Sequence, residues 1–563
     1  MSGADVGRNV AALADEYWSF HRGTAQLWNI DRGDLEQIEH WEDLTADGTR
    51  TRLETLGRFA RRAADLSRSA TAGERTLIAA VEFSATSMAA SLPSTRDSAL
   101  VAGPMDVLTV MGVLAPSYGL RTAEHGRGYV SKLRSVPRFI DGWIDGLRDG
   151  GAEGRTATRR GVARTIDGID RWLELPLDDD PMASQVPPVE LSEREAAAWR
   201  SDVLAAIGDD VRPALAGLRT MLRDEIAPVA AGDDRPGICH QPGGLAEYDA
   251  LLHASTSTSL TADAVHQLGR RQLARLEDEY SMLGAECFGL TDPAAVRARL
   301  RDDAALRYQS ADEIMADAAS IVDRAIEAAP RWFATIPAAR CRVTPVHGGG
   351  MAYYTAPSPD GGRGGTCYFN VAEPSMWTRF SLEATTFHES VPGHHLQLAT
   401  AQGLDLHPVL GELEVESFGE GWGLYAERLA DEMRLYTGPL QRLGMLTLDS
   451  LRAARLVVDT GLHAMAWTRD QAIEFLADST ALVRRNAEAE VDRYIAMPGQ
   501  ATSYMIGRLE LERLRSEAEA QLGDRFDLAR FHDVVLGNGM SPLPALHHTV
   551  HDWITSAGGG RHR

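Results

Sequence analysis

Amphipathic helical periodicity runs through nearly the whole chain and confines the fold to packed helices. Val6, Val10, Leu13, Tyr17 and Phe20 alternate at spacings of 4 and 3, which aligns them as one apolar stripe. The same pattern recurs near 51–66, 194–226, 262–284, 310–329, 409–434, 446–467, 469–486 and 501–522. Thr468 followed by Gln471 reads as a capping box that opens a fresh helix after Trp467. There is no strand–helix alternation of the βαβ kind and no internal repeat. One segment departs from the pattern. From Cys341 to Val371 the chain is rich in Gly, Tyr and Thr, and Cys341–Pro345, Met351–Thr355 and Thr366–Val371 read as short strands around a turn at 358–362. The expected fold is mainly α, with a small β segment. Pro- and Gly-bearing stretches at about 175–190 and 230–245 read as long loops or lobe boundaries.

Charge narrows the partners. Lys plus Arg total 57 against 80 Asp plus Glu, a formal charge of −23 over 563 residues. A surface this acidic repels phosphate backbones and anionic membranes, so neither nucleic acid nor a membrane is an expected partner. Apolar stretches such as 107–116 fall short of the ~18 residues of a spanning helix. Asp5, Arg8, Asp15 and Glu16 interrupt the N-terminus where a signal peptide needs its apolar run. A soluble cytoplasmic protein is expected. Cys239, Cys287, Cys341 and Cys367 form no CxxC and no close pair in sequence, which reads as reduced, mostly buried thiols.

The chemistry-bearing stretch is Phe387-His388-Glu389-Ser390-Val391-Pro392-Gly393-His394-His395. A His-Glu pair on a helix with a second His one turn later is a zinc-site signature, because imidazoles at i and i+4 share a face. Here the i+4 position is Pro392. On an unbroken helix His394 would lie ~9 Å further along and about 240° around, and His395 would return to the same face ~10 Å away. Pro392 cannot donate to the carbonyl of His388 and its ring collides with that group, so the helix must open there. Gly393 can then take a positive φ without strain. Two residues looped out this way bring His394 to the place of the i+4 ligand, with His395 as the alternative. A second helix adds carboxylates. Val415, Phe418, Trp422, Tyr425 and Leu429 form its apolar stripe, and Glu416, Glu420, Gly423 and Glu427 a second one beside it. Three glycines within 419–423 cost a helix ~1 kcal/mol each relative to Ala, a cost that makes sense where another backbone or a substrate must come close.

The run His388-Glu389-x-x-Pro392-Gly393-His394-His395-x-Gln397, followed by Glu420-Gly421-Trp422-x-x-Tyr425-x-Glu427, resembles the bacterial family catalogued as domain of unknown function 885. Asp459-Thr460-Gly461-Leu462-His463 with Trp467, and Pro498-Gly499-Gln500-Ala501-x-x-Tyr504-x-x-Gly507, extend the likeness. Asp15-Glu16-Tyr17-Trp18 and Thr256 to Gly269 carry it upstream. The resemblance implies a large gluzincin-like helical fold similar to the thermostable carboxypeptidase Taq family, with two lobes around a deep cleft. A single metallopeptidase-like domain over 1–563 would then comprise an N-terminal helical lobe (1–240) and a catalytic lobe (241–563). It also nominates Glu420 as the third ligand of a zinc ion beside His388 and His394. Other divalent metals suit two nitrogens and a carboxylate as well.

On this reading the protein is a metal-dependent hydrolase of short peptides, with a non-peptide amide or a non-catalytic binding role as alternatives. Glu389 is the expected general base. Glu427 or Glu416 is expected to accept the free ring N–H of a ligand histidine. Tyr504 is the candidate oxyanion donor. Arg455, Asp459 and His463, spaced i, i+4, i+8, are read as facing the cleft, with His463 in a catalytic role. Arg363 and the arginines of 508–515 are candidate anchors for a substrate carboxylate, His395 a candidate substrate contact, and the 341–371 segment a candidate edge strand for an extended peptide. His547, His548 and His551 are read as packing or surface residues. A helical di-iron site needs Glu-x-x-His pairs, and no glutamate in the chain is followed by His at i+3.

Overall fold

The computed structural model describes residues 3–24, 35, 38–94, 107–109, 111–112, 118–357 and 364–558. They are mainly helical, with one three-stranded sheet. Helices Gly3–Thr24, Ala46–Ser67 and Ala72–Ser94 bury Val10, Leu13, Tyr17, Leu56 and Val81 in a core that also takes in Val409, Leu410 and Leu413. A second core gathers Tyr129, Trp143, Val162, Ile169, Val211 and Leu218 from helices between 123 and 226. The largest core includes Tyr248, Phe369, Phe387, Trp422, Leu511 and Phe531. The second core lies wholly before residue 240, whereas the first three helices share theirs with residues 409–413, across the expected lobe boundary.

Most periodic stretches are helices, and the exceptions have local causes. The 409–434 stretch is two helices, Pro408–Gly411 and Glu416–Glu432, because Val415 is extended (φ −121°, ψ 93°). The 469–486 stretch stops at Ser479 and restarts at Arg484. There Thr480 is extended and its hydroxyl donates to the Leu476 carbonyl at 2.7 Å, a side-chain bond that competes with helix propagation. Thr468 and Gln471 form the expected capping box.

The sheet has the order β1-β3-β2, with β1 (Cys341–Val346) parallel and β2 (Ala352–Thr355) antiparallel to the central β3 (Gly365–Asn370). Its central strand sits beside the His-Glu helix Leu382–Glu389, with the Cys367 sulphur 3.4 Å from the Glu389 carbonyl. The Ser358 to Gly362 turn lies outside the described residues.

Helix Glu416–Glu432 crosses helix Ser503–Leu522 through glycine. A Cβ on Gly421 would lie 2.5 Å from the Gly507 Cα, and one on Gly507 would lie 1.8 Å from the Ser417 carbonyl oxygen. Both contacts are with backbone, which cannot rotate aside, so the two axes must separate if either glycine gains a side chain. Gly507→Ala is expected to destabilise the fold by about 1–3 kcal/mol or more, read as a lower denaturant midpoint; an unchanged midpoint would contradict this packing.

Candidate metal centre

The His-Glu helix ends at Glu389, and a new helix, His394–Gln402, starts after a four-residue turn. The chain is thus broken into two helices rather than looped out of one, and His394 is the first residue of the second. Three hydrogen bonds fix the turn. The Gly393 N–H donates to Phe387 O at 3.0 Å, the His395 N–H to Ser390 O at 3.1 Å, and the Trp422 indole N–H to Pro392 O at 2.9 Å. Gly393 has φ −81° and does not use the positive φ open to it. What it supplies is room: a Cβ there would sit 1.9 Å from the His388 carbonyl oxygen.

This fold-back brings His388 and His394 together with Glu420 from the glycine-rich helix. Nε2 of His388 lies 3.3 Å and Nε2 of His394 3.5 Å from Glu420 Oε2, and the three candidate ligand atoms all lie within 4.8 Å of one another. The imidazole rings stand at 86° with centroids 4.7 Å apart. Two ligands ~2.05 Å from a tetrahedral ion are themselves ~3.3 Å apart, so this donor set fits a divalent cation with nitrogen and carboxylate ligands. Among the described residues no other histidine, cysteine or carboxylate group clusters this way. His395 points elsewhere: its Nδ1 is 2.9 Å from the Tyr354 hydroxyl and its Nε2 3.2 Å from the Ala339 carbonyl.

Each imidazole is oriented from behind. Nδ1 of His388 donates to Glu427 Oε1 at 2.9 Å, and Nδ1 of His394 faces Gln397 Oε1 at 3.4 Å, which directs both Nε2 atoms at Glu420. Glu427, one helix turn after Gly423, is fully buried; a Cβ on Gly423 would fall 2.6–2.9 Å from the His388 ring atoms. Glu427, not Glu416, is therefore the residue that holds the His388 ring.

The electrostatics favour positive charge. Burial alone would lower the His388 pKa, but hydrogen bonds with Glu420 and Glu427 raise it to about 9. Burial would raise the Glu420 carboxyl, yet the hydrogen bonds and charges of the two imidazoles hold it well below the usual carboxylate range. Burial raises Glu389, against the charges of His388, His394 and Arg452. Tyr504 packs its ring under the Arg455 and Arg452 guanidinium groups, at 4.7 and 5.7 Å. Burial and then the Glu420 charge push its phenol up to about 12, so it keeps its proton at neutral pH. Arg452, 3.7 Å from Glu427 Oε1, was not singled out by sequence. Its position seven residues before Asp459 on one helical stripe was the available signal.

Other expected site residues serve the scaffold. His463 donates through Nε2 to Tyr494 O at 3.0 Å and accepts the Ile238 N–H on Nδ1 at 3.3 Å. Both ring nitrogens are spent on backbone and burial lowers its pKa to about 4, so it is a neutral brace and not a catalytic group. Asp459 accepts from the Tyr248 hydroxyl at 2.6 Å and the Gly499 N–H at 3.0 Å, and Arg455 bonds Glu490 and Tyr494. The i, i+4, i+8 stripe is an internal network. Burial, then Glu414 and Glu420, raises the Glu416 carboxyl to about 8. Arg508 pairs with buried Asp449, Arg513 with Glu510 and Glu517, and Arg515 with Glu432 and Glu519. These arginines are committed within the fold, and Arg363 lies outside the described residues. A cavity of about 780 Å³ lies apart from all of these, lined by residues of helices Val136–Ala152 and Arg212–Met221 such as Asp141, Arg148 and Arg219. His463→Asn should lower thermal stability, since it strands buried backbone partners worth about 1–3 kcal/mol each, while divalent-metal binding is unchanged. A loss of metal binding at full stability would return His463 to the site.

Comparisons place the chain among known proteins. The family model described as "Bacterial protein of unknown function (DUF885)" matches residues 27–550. The crystal structure of the "putative lipoprotein" from Colwellia psychrerythraea superposes with a TM-score of 0.87 at 23% identity, covering 97% of this chain and 99% of that one. The "putative lipoprotein of unknown function" from Shewanella oneidensis gives a TM-score of 0.76 at 17% identity, covering 96% and 98%. At these identities the likeness is one of fold. No curated protein matches the chain, and no described helix is long and apolar enough to cross a membrane. The chain belongs to the bacterial family of unknown function DUF885.

Proposed function

We propose that this protein is a zinc-dependent hydrolase that cleaves amide bonds, with short peptides as the first substrate class, using gluzincin-type chemistry. The observation that carries this reading is the convergence of His388, His394 and Glu420, with the Glu389 carboxyl beside them. Two imidazoles and one carboxylate would hold the ion and leave a position open. When bound, such an ion supplies Lewis acidity, making water nucleophilic near neutral pH and polarising a carbonyl. Manganese, iron or cobalt would satisfy the same donors.

The chain's own groups divide the remaining work. Glu389 takes the proton of the attacking water and returns it to the leaving nitrogen. Its burial, which raises its affinity for a proton, suits both halves of that task. Tyr504, protonated and beside Glu420, donates to the oxygen on which charge develops. Glu427 keeps the Nδ1 proton on His388, so that Nε2 presents its lone pair to the ion.

Elemental analysis should find about one zinc per chain in the wild type and in His395→Ala, and little in His394→Ala. Equal loss in both histidine variants would contradict the ligand set. Hydrolysis of a small peptide panel should vanish with chelator and return with zinc. Glu389→Gln should retain the metal while turnover falls about 10²–10⁴-fold; turnover near the wild-type level would remove Glu389 as the base. Tyr504→Phe should lower kcat about 10²–10³-fold with KM little changed, and a pure KM effect would make Tyr504 a binding group instead.

A further inference from the structure

Two cysteines 26 residues apart in sequence meet across the sheet. In the parallel register Cys341 lies opposite Gly365 and Val343 opposite Cys367, which puts both cysteines on one face, diagonal to each other. Their sulphurs are 3.5 Å apart. A disulfide needs ~2.05 Å, so oxidation must draw the two sulphurs about 1.5 Å closer. The absence of a close pair in the sequence thus misleads, because strand register and not chain spacing decides which thiols meet.

The two thiols are unequal. Cys367 is fully buried, whereas Cys341 on the edge strand is partly exposed. Gly365 makes room for the groups around Cys341: a Cβ there would lie 2.1 Å from the Tyr354 hydroxyl and 2.5 Å from His395 Nδ1. His395, which the metal centre does not use, therefore stands over Cys341. The hydrogen bond with Cys367 pulls the Cys341 thiol down to about 6, against burial and with the further help of the His395 hydrogen bond and charge. Burial drives Cys367 the other way, and it also raises the thiols of Cys239 and Cys287. A partly exposed, stabilised thiolate beside a protonated buried partner is the arrangement of an attacking and a resolving thiol.

We propose that Cys341 and Cys367 are a reversible dithiol–disulfide site that exchanges with low-molecular-weight disulfides, Cys341 attacking and Cys367 resolving. The Cys341 thiolate attacks one sulphur of RSSR, forming a mixed disulfide and expelling RS⁻, which takes up the proton Cys341 has released. Cys367 then attacks the Cys341 sulphur, its proton leaving with the second RSH. The protein gives up two electrons and two protons, and RSSR becomes two RSH. Closing the bond draws Cys367 from its contact with the Glu389 carbonyl, at the end of the His-Glu helix. The chemistry itself does not rest on a bound metal or on hydrolysis.

Intact-mass measurement of the full-length protein in oxidised glutathione should show the loss of two hydrogens, reversed by dithiothreitol. Peptide mapping should join the segments containing 341 and 367. Cys367→Ser should stop at a single glutathione adduct on Cys341, and Cys341→Ser should form neither adduct nor internal bond. In the reduced wild type, Cys341 should alkylate at least about tenfold faster than Cys239 or Cys287. Four persisting free thiols, a bond through Cys239 or Cys287, or a wild type that halts at the mixed adduct would each overturn the proposal. The wild-type mass and map decide the matter even if a serine variant does not fold.

Discussion

Everything at the centre depends on how closely the His388 ring is held against the helix that carries Glu420 and Glu427. Only 4% of His388 is exposed, and Gly423 lets its ring lie directly on the facing helix. Glu427 binds one nitrogen and Glu420 faces the other. An imidazole so enclosed by carboxylates has to carry positive charge or share one, since unpaired buried carboxylates are costly. A proton on His388 meets that need in the protein alone, and a divalent cation would meet it more fully by drawing on His394 as well.

The glycines explain how the fold achieves this. Gly421 admits the backbone of the 503–522 helix, which carries Tyr504, and Gly423 admits the His388 ring. Gly393 performs the complementary task on the other side, letting the turn after Glu389 fold over the His388 carbonyl. Each costs helix or chain entropy, and together they convert that cost into a short distance between parts of the chain that are remote in sequence. The site is thus an outcome of close packing between helices more than of the local His-Glu motif.

This also marks what could be read from the sequence. Pro392 announces a break, and the break does bring His394 to Glu420, but the form it takes is set by steric room and not by a left-handed glycine. The glycine-rich helix was legible because its composition is costly without a close neighbour. The role of His463 was not, since an i, i+4, i+8 polar stripe looks the same whether it faces a cleft or braces buried backbone. Choosing Glu427 over Glu416 likewise needed the packing of His388 against the helix that carries both, and the Cys341–Cys367 pairing needed strand register. Periodicity located most helices but not their internal breaks, where Val415 and Thr480 leave the helix for local reasons.

X-ray absorption at the zinc edge of the metal-loaded protein addresses the ligand set most directly. The account requires a shell of nitrogen and oxygen alone at ~2.0–2.2 Å, with imidazole scattering from two histidines. A sulphur shell at ~2.3 Å would move the ion to the cysteine pair instead, and would contradict a centre built from His388, His394 and Glu420.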